Sequence, residues 1–259
     1  MDHTREHRSL LASAEKRLLI ALANRLPGWL SSDHLTLLGL SSMAAAALAF
    51  ARIATAPWSA GLFALALIAN WLGDSLDGTV ARVRGQERPC YGFYVDHVID
   101  LAGTAALLIG MGASGLMAPS VALAVLAAYF LVSAEAYLAT HAAGIFRLSF
   151  GGIGPTELRL LLVAGAFYVT GHSWVEIDGL RVRLLDVSGL IAAAGMVMVF
   201  AASAVRTTRA LYLAEPLPTR EEHTPARYAA LDGPRREVVL EDEPVALRLR
   251  RDNRPVNLS

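Results

Sequence analysis

Four aspartates carry the clearest chemical signal in the sequence. Asp74 and Asp77 stand three apart, Asp96 and Asp100 four apart, and each pair abuts a long run without charge. On a helix, Asp74, Asp77, Gly78 and Ala81 fall at i, i+3, i+4 and i+7 and line one face; Asp96 and Asp100 also share a face. The segment between the pairs returns the chain, so two antiparallel helices can aim all four carboxylates at one point. Four such groups repel one another without a counter-charge. Hard divalent cations resolve the conflict, because oxygen-only ligands suit magnesium, manganese or calcium, and magnesium is commonly shared between carboxylates and substrate phosphates. Two ions would cancel the four charges and leave coordination sites for a diphosphate. Gly78 and Ala81 remove side-chain bulk on the same face, and Arg82 can hold a phosphate in a fork of hydrogen bonds. The set suits phosphoryl transfer on a diphosphate-linked substrate.

The elements that must position these residues are membrane spans. Of 259 residues, 54% are hydrophobic and 18% charged, against roughly 25% charged in a soluble domain, and the mean hydropathy is +0.44. No charged residue falls between Asp33 and Arg52, Arg52 and Asp74, Asp100 and Glu135, Arg159 and Glu176, or Asp186 and Arg206. Such gaps approach or exceed the ~20 apolar residues of a transmembrane helix. The expected fold is all-α, with six spans near Leu35–Ile53, Trp58–Leu76, Val95–Gly112, Ala118–Ala139, Thr156–Gly171 and Val187–Leu211. A formal net charge of zero argues against a nucleic-acid binder. One cysteine, Cys90, excludes a disulfide framework.

Three segments are expected: an amphipathic juxtamembrane helix in residues 1–30, a six-helix domain in 31–213 and a cytoplasmic, largely disordered tail in 214–259. Leu11, Ala14, Leu18, Leu22 and Leu26 recur at helical spacing, while Arg8, Lys16, Arg17 and Arg25 lie elsewhere. Such a helix suits the membrane surface or packs on its own protein. The tail is rich in Pro, Arg, Glu and Asp, without a sustained apolar period. The Met1 end shows no secretory signal and reads as mature sequence. Basic residues concentrate at the two ends and in the Arg82–Arg88 and Arg147–Arg159 segments, with Arg181 and Arg183 dissenting. That bias puts both termini and the aspartates on the cytoplasmic side of a membrane, taken as a bacterial inner membrane.

Gly92 extends the aspartate pattern. The run resembles the signature of the CDP-alcohol phosphatidyltransferases, Asp-x2-Asp-Gly-x2-Ala-Arg-x(8–9)-Gly-x3-Asp-x3-Asp. It fills every fixed position with Asp74, Asp77, Gly78, Ala81, Arg82, Gly92, Asp96 and Asp100, nine residues separating Arg82 from Gly92. The resemblance covers roughly Ser31 to Leu213, and the six-helix layout with a juxtamembrane helix is also the family's. It implies that Asp74, Asp77 and Asp96 bind the metal, two Mg2+ ions with Mn2+ as a substitute, and that Asp100 contacts a metal and serves as general base. It implies further that Gly78, Ala81, Arg82 and Gly92, together with Asp74, bind the CDP moiety. The acceptor hydroxyl would then attack the phosphorus distal to cytidine and release CMP, and the chain would form a homodimer. One position departs: where family members often carry Pro-Asn, this chain has Ser32-Asp33, followed by Thr36 and Gly39. Asp33 replaces an amide that contacts nucleotide or caps the helix, and the cap is the favoured reading.

Residues expected to choose the acceptor lie in the fourth and fifth spans. Glu135 with Tyr129, Ser133, Tyr137 and His141 gives a polar face inside the membrane. Buried acids there are costly, which favours an acceptor pocket over simple interhelical bonding. Glu157 and Arg159 belong to Gly154-Pro155-Thr156-Glu157-Leu158-Arg159, and Phe150–Glu157 looks like the equivalent segment of choline/ethanolamine phosphotransferases. Arg147 and Arg159 could bind an acceptor's phosphate or carboxylate. The expected reaction moves phosphatidyl from CDP-diacylglycerol to a small alcohol; the alternative moves a phospho-amino-alcohol from CDP-choline or CDP-ethanolamine to diacylglycerol. A membrane prenyltransferase would lack the Gly78, Ala81 and Arg82 pattern. A divalent-cation transporter would spread its acids along a transmembrane path.

Overall fold

Uncharged runs become helices in the computed structural model, which describes residues 12–143 and 154–215. Those residues form α1 (Ala12–Arg25), α2 (Ser32–Ala51), α3 (Ser59–Val83), α4 (Pro89–Ala113), α5 (Pro119–Ala143), α6 (Pro155–Gly171), β1 (Trp174–Ile177), β2 (Leu180–Arg183) and α7 (Leu184–Ala214). The chain divides into two units, Met1–Tyr212 and Leu213–Ser259. Helices α2, α3, α4, α5 and α7 are long and apolar enough to cross a membrane, as expected of a membrane protein. Helix α6 has 17 residues, about 25 Å at 1.5 Å per residue, which falls short of a hydrocarbon core of roughly 30 Å. Five candidate spans are therefore present among the described residues, against six expected.

The all-α expectation needs one correction. Strands β1 and β2 pair antiparallel, Trp174 opposite Arg183 and Ile177 opposite Leu180. Asp178 and Gly179 make the two-residue turn with φ of 52° and 77°, and Asp-Gly tolerates two consecutive positive φ values better than most pairs.

Helix ends also differ from expectation, for local reasons. Helix α4 starts at Pro89 rather than near Val95, because a proline in the first turn lacks only an N–H that has no intrahelical acceptor. Helix α3 continues past Leu76 to Val83, so Asp74 and Asp77 lie inside it. It ends where Gly85, with φ of 64°, turns left-handed and Gln86 donates its N–H to the Ala81 carbonyl at 2.9 Å. Ser31 caps α2: its hydroxyl accepts from the His34 N–H, and the Ser31 N–H donates to His34 Nδ1 at 3.2 Å. Asp33 is therefore not the cap.

Helix α1 buries Leu19 and Ala23 against Leu35, Leu76 and Val80, with Leu22 and Leu26 alongside. Leu18, expected on the apolar face, is half exposed. The Arg84 guanidinium donates to the carbonyls of Leu26, Pro27 and Leu30 at 3.2, 3.1 and 2.6 Å and ties the end of α3 to the turn after α1. At the other end of the bundle, Phe50 and Phe63 meet edge to face with centroids 5.1 Å apart inside the main core.

Helix α2 packs on both α3 and α4, and it does so through backbone. A Cβ at Gly73 would sit 2.6 Å from the Leu35 oxygen and 2.7 Å from the Gly39 nitrogen. A Cβ at Gly110 would sit 2.8 Å from Ala47 Cα, and one at Gly103 would meet Met43 Cγ at 3.0 Å. Small residues allow this approach in a medium where helix contacts depend on close packing. Gly73→Ala must push α2 from α3 and should lower stability by about 1–3 kcal/mol. Gly165→Ala, where an added Cβ meets nothing within 4 Å, should leave stability within about 1 kcal/mol of the parent. Thermal unfolding in detergent measures both; equal midpoints for the two variants would contradict the packing described.

Candidate active site

The backbone contact at Gly73 fixes the residue beside it. Asp74 leaves α3 one position later, and Asp96 and Asp100 leave the facing start of α4. One carboxylate oxygen from each lies within 4.8 Å of the others. Asp74 and Asp96 are partly buried and Asp100 is exposed. Asp77 stands one turn along α3 and interacts electrostatically with Asp74, Asp96 and Asp100. Its own contacts are with Thr36 of α2, whose Oγ1 donates at 2.8 Å, and with the Gly78 N–H. The structure thus brings together three of the four expected ligands directly and holds the fourth beside them.

One positive group meets the cluster, and a second lies farther along α3. Arg159, from the first turns of α6, donates through Nη2 to Asp74 at 2.5 Å and through Nε to Asn70 Oδ1 at 2.9 Å. Asn70 is buried and donates in turn to the Gly39 carbonyl at 3.1 Å. It locks the guanidinium to the α2–α3 crossing. Arg82 lies over Gly78, where a Cβ would be 3.5 Å from the guanidinium, and donates to Thr79 Oγ1 at 3.2 Å. Ala81 follows on α3, and around Gly92 no heavy atom lies within 4 Å of a built Cβ. Three converging carboxylates with one neighbouring arginine leave an excess of negative charge on hard oxygen donors. That donor set fits a divalent cation such as Mg2+.

Arg88, just before α4, forms a two-point ion pair with Asp33 at 2.7 and 2.8 Å and lies 4.0 Å from the Tyr91 ring centroid. Donating to the Asp33 carboxylate raises the Arg88 pKa above its ordinary value. The departing residue Asp33 therefore serves as a strap between the start of α2 and the loop before α4. Both partners are more than half exposed, so the strap contributes little to stability by itself.

The expected acceptor residues separate into groups. Tyr129 and Tyr137 lie within electrostatic reach of Asp100, and Tyr129 hydrogen-bonds with Thr104 and Ser133. Tyr137 also meets His97 edge to face at 5.2 Å. His97 stacks on Phe93 at 4.0 Å and bonds its carbonyl at 2.6 Å. Glu135 projects elsewhere, accepting from Thr207 of α7 at 3.1 Å. Glu157 accepts from the Gly154 N–H at 3.0 Å and closes the first turn of α6. His141 is exposed near the end of α5, and Arg159 belongs to the aspartate cluster. Arg147 and Phe150–Ile153 lie outside the described residues. Sequence reasoning missed Asn70, although an amide at i, i+4 and i+7 with Asp74 and Asp77 in an apolar run was the available signal.

A crystal structure of Mycobacterium tuberculosis phosphatidylinositol phosphate synthase with CDP-DAG bound is similar at 21% identity and a TM-score of 0.47, covering 76% of this chain and 92% of that one. No curated protein matches the chain in sequence. The aspartate pair on each of two helices, the glycines and Arg82 all fall within residues 29–205. Over that stretch the chain matches the CDP-alcohol phosphatidyltransferases, and it belongs to that family of enzymes.

Proposed function

We propose that the chain moves the phosphatidyl group of CDP-diacylglycerol to the hydroxyl of a small alcohol and releases CMP. The observation that carries this reading is the convergence of Asp74, Asp96 and Asp100 within 4.8 Å on the helix pair that also bears Gly78, Arg82 and Gly92. Asp74, Asp77, Asp96 and Asp100 would hold Mg2+, two ions by charge balance, to neutralise the diphosphate and the charge developing on CMP. Gly78, Ala81 and Gly92 leave room for the nucleotide, and Arg82 grips a phosphate. Asp100 takes the acceptor's hydroxyl proton while its oxygen attacks the phosphorus distal to cytidine. The new bond to phosphorus forms as the bond to the bridging oxygen breaks, and the electron pair leaves on CMP. Direct attack requires no covalent enzyme intermediate.

Polar groups of α5 and α6 would select the acceptor, with Tyr129, Tyr137 and Arg159 the three that reach the aspartates. The competing reading, a phospho-amino-alcohol donor with diacylglycerol as acceptor, draws on Gly154-Pro155-Thr156-Glu157. The capping bond between Glu157 and Gly154 accounts for that box locally. In the full proposal the short helix α6 completes six spans by locally thinning the bilayer, α1 lies along the membrane surface and the basic residues Arg82, Arg84 and Arg88 put the aspartate end in the cytoplasm. Two copies of the chain form the working enzyme, and residues 214–259 are a dispensable tail.

Purified protein with Mg2+ should release CMP from CDP-diacylglycerol in the presence of one of glycerol phosphate, serine, inositol or inositol phosphate. CMP released only from CDP-choline or CDP-ethanolamine with diacylglycerol would reverse the side of the bond that carries lipid. Asp100→Asn should lower turnover by about 10²-fold or more while much of the Mg2+-dependent CDP binding persists. Retained turnover in that variant would remove Asp100 from its role as base. A chain ending at Glu215 should keep near-parent activity in the same assay; loss of activity in a folded truncate would assign work to the tail.

A further inference from the structure

A second site lies at the far end of the bundle from the aspartates. The α2–α3 turn, the α4–α5 turn, the end of α6 and the hairpin enclose a partly open cleft of about 280 Å3. Ile53, Pro57, Leu116, Val169, Trp174 and Arg183 line it. Asp74 stands 15 residues beyond Ser59 along α3, about 22 Å away, so the cleft shares nothing with the metal-binding residues.

Arg183 supplies its charge. The Nε atom is buried and has no hydrogen-bond partner among the described residues. Asp186 is the nearest acid, but the pair is stretched to 3.9 Å, beyond hydrogen-bonding range. Asp186 is also engaged, accepting the Ala118 N–H at 2.6 Å. The guanidinium stands 5.6 Å from the Trp174 ring centroid, which orients it without satisfying its donors. Buried donors are satisfied as a rule, and the rest of this guanidinium, on a side chain 35% exposed in the wall of the cleft, is open to an acceptor from outside.

Depth and lining narrow the choice of acceptor. The cleft sits where α2 and α6 end and α3 begins, and the exposed Trp58 and Trp174 mark the level of lipid headgroups. A guanidinium fork matches two oxygens of a phosphate, while Ile53, Leu116 and Val169 offer apolar walls to the glycerol esters next to it. We propose that this cleft binds the phosphate of an anionic phospholipid in the leaflet opposite the aspartates, with Arg183 as its principal ligand.

Native mass spectrometry of the full-length protein in detergent tests this with phosphatidylglycerol and with inorganic phosphate as probes. The parent should retain one phosphatidylglycerol per chain that Arg183→Gln binds about tenfold or more weakly, the worth of a hydrogen bond to a charged group. Mg2+-dependent CDP binding at the other end should be unchanged in that variant and reports its fold. Arg183→Lys keeps the charge without the fork; it should show an intermediate loss and serves as the test if Arg183→Gln does not fold. Equal phosphatidylglycerol binding by parent and variants, or none by the parent, would overturn the proposal. Binding of inorganic phosphate but not of phosphatidylglycerol would overturn the lipid source.

Discussion

How closely α2 approaches its two neighbours sets the geometry of the site. Its backbone touches α3 at Gly39 and Gly73 and α4 at Ala47 and Gly110. Asp74 follows Gly73 directly, and Asp96, Gly103 and Gly110 recur every seven residues on α4, so the carboxylates and the small residues share one side of that helix. Helix α2 contributes no aspartate to the cluster. It acts as the common surface on which the two aspartate-bearing helices are registered, and through Thr36 it also holds Asp77. Side chains at the crossings would separate the helices by ångströms, a distance that matters for ligands meeting within 4.8 Å.

Charge is the second constraint, and packing must overcome it. Two carboxylates ~5 Å apart repel by about 3 kcal/mol at an effective dielectric near 20. The cluster contains three such pairs before Asp77 is counted, while Arg159 hydrogen-bonds Asp74 and also attracts Asp100. One guanidinium offsets part of that repulsion, and the remainder is negative charge that a divalent cation would neutralise. The buried amide of Asn70 keeps Arg159 in place by bonding it and the Gly39 carbonyl together, so the charge and the α2–α3 crossing are coupled.

Spacing made much of this legible in the sequence. The i, i+3 and i+4 relations among the aspartates describe a helix face whatever the helix ends do, and they hold although α3 ends at Val83 and α4 starts at Pro89. Helix ends were harder to read, because Pro89 and Gly85 act through local backbone geometry that hydropathy does not register. The Asp178-Gly179 turn was visible but lay in a short stretch between two apolar runs, where the helical pattern dominated. Polar residues in spans were the least legible. Tyr129, Ser133 and Tyr137 share a face, whereas Glu135 lies two residues round the helix from Ser133 and meets Thr207 of a helix 72 residues away in sequence. Asp33 likewise found Arg88, a partner that only the fold brings near.

Manganese electron paramagnetic resonance on the full-length protein in lipid nanodiscs tests most directly whether these carboxylates form a cation site for a nucleotide diphosphate. Titrated Mn2+ should lose its free-ion signal on binding, bind more tightly when CDP is added, and remain free with Asp74→Asn or Asp96→Asn. Mn2+ binding that is unchanged in both variants, or indifferent to CDP, would show that the aspartate cluster is not the metal centre of this enzyme.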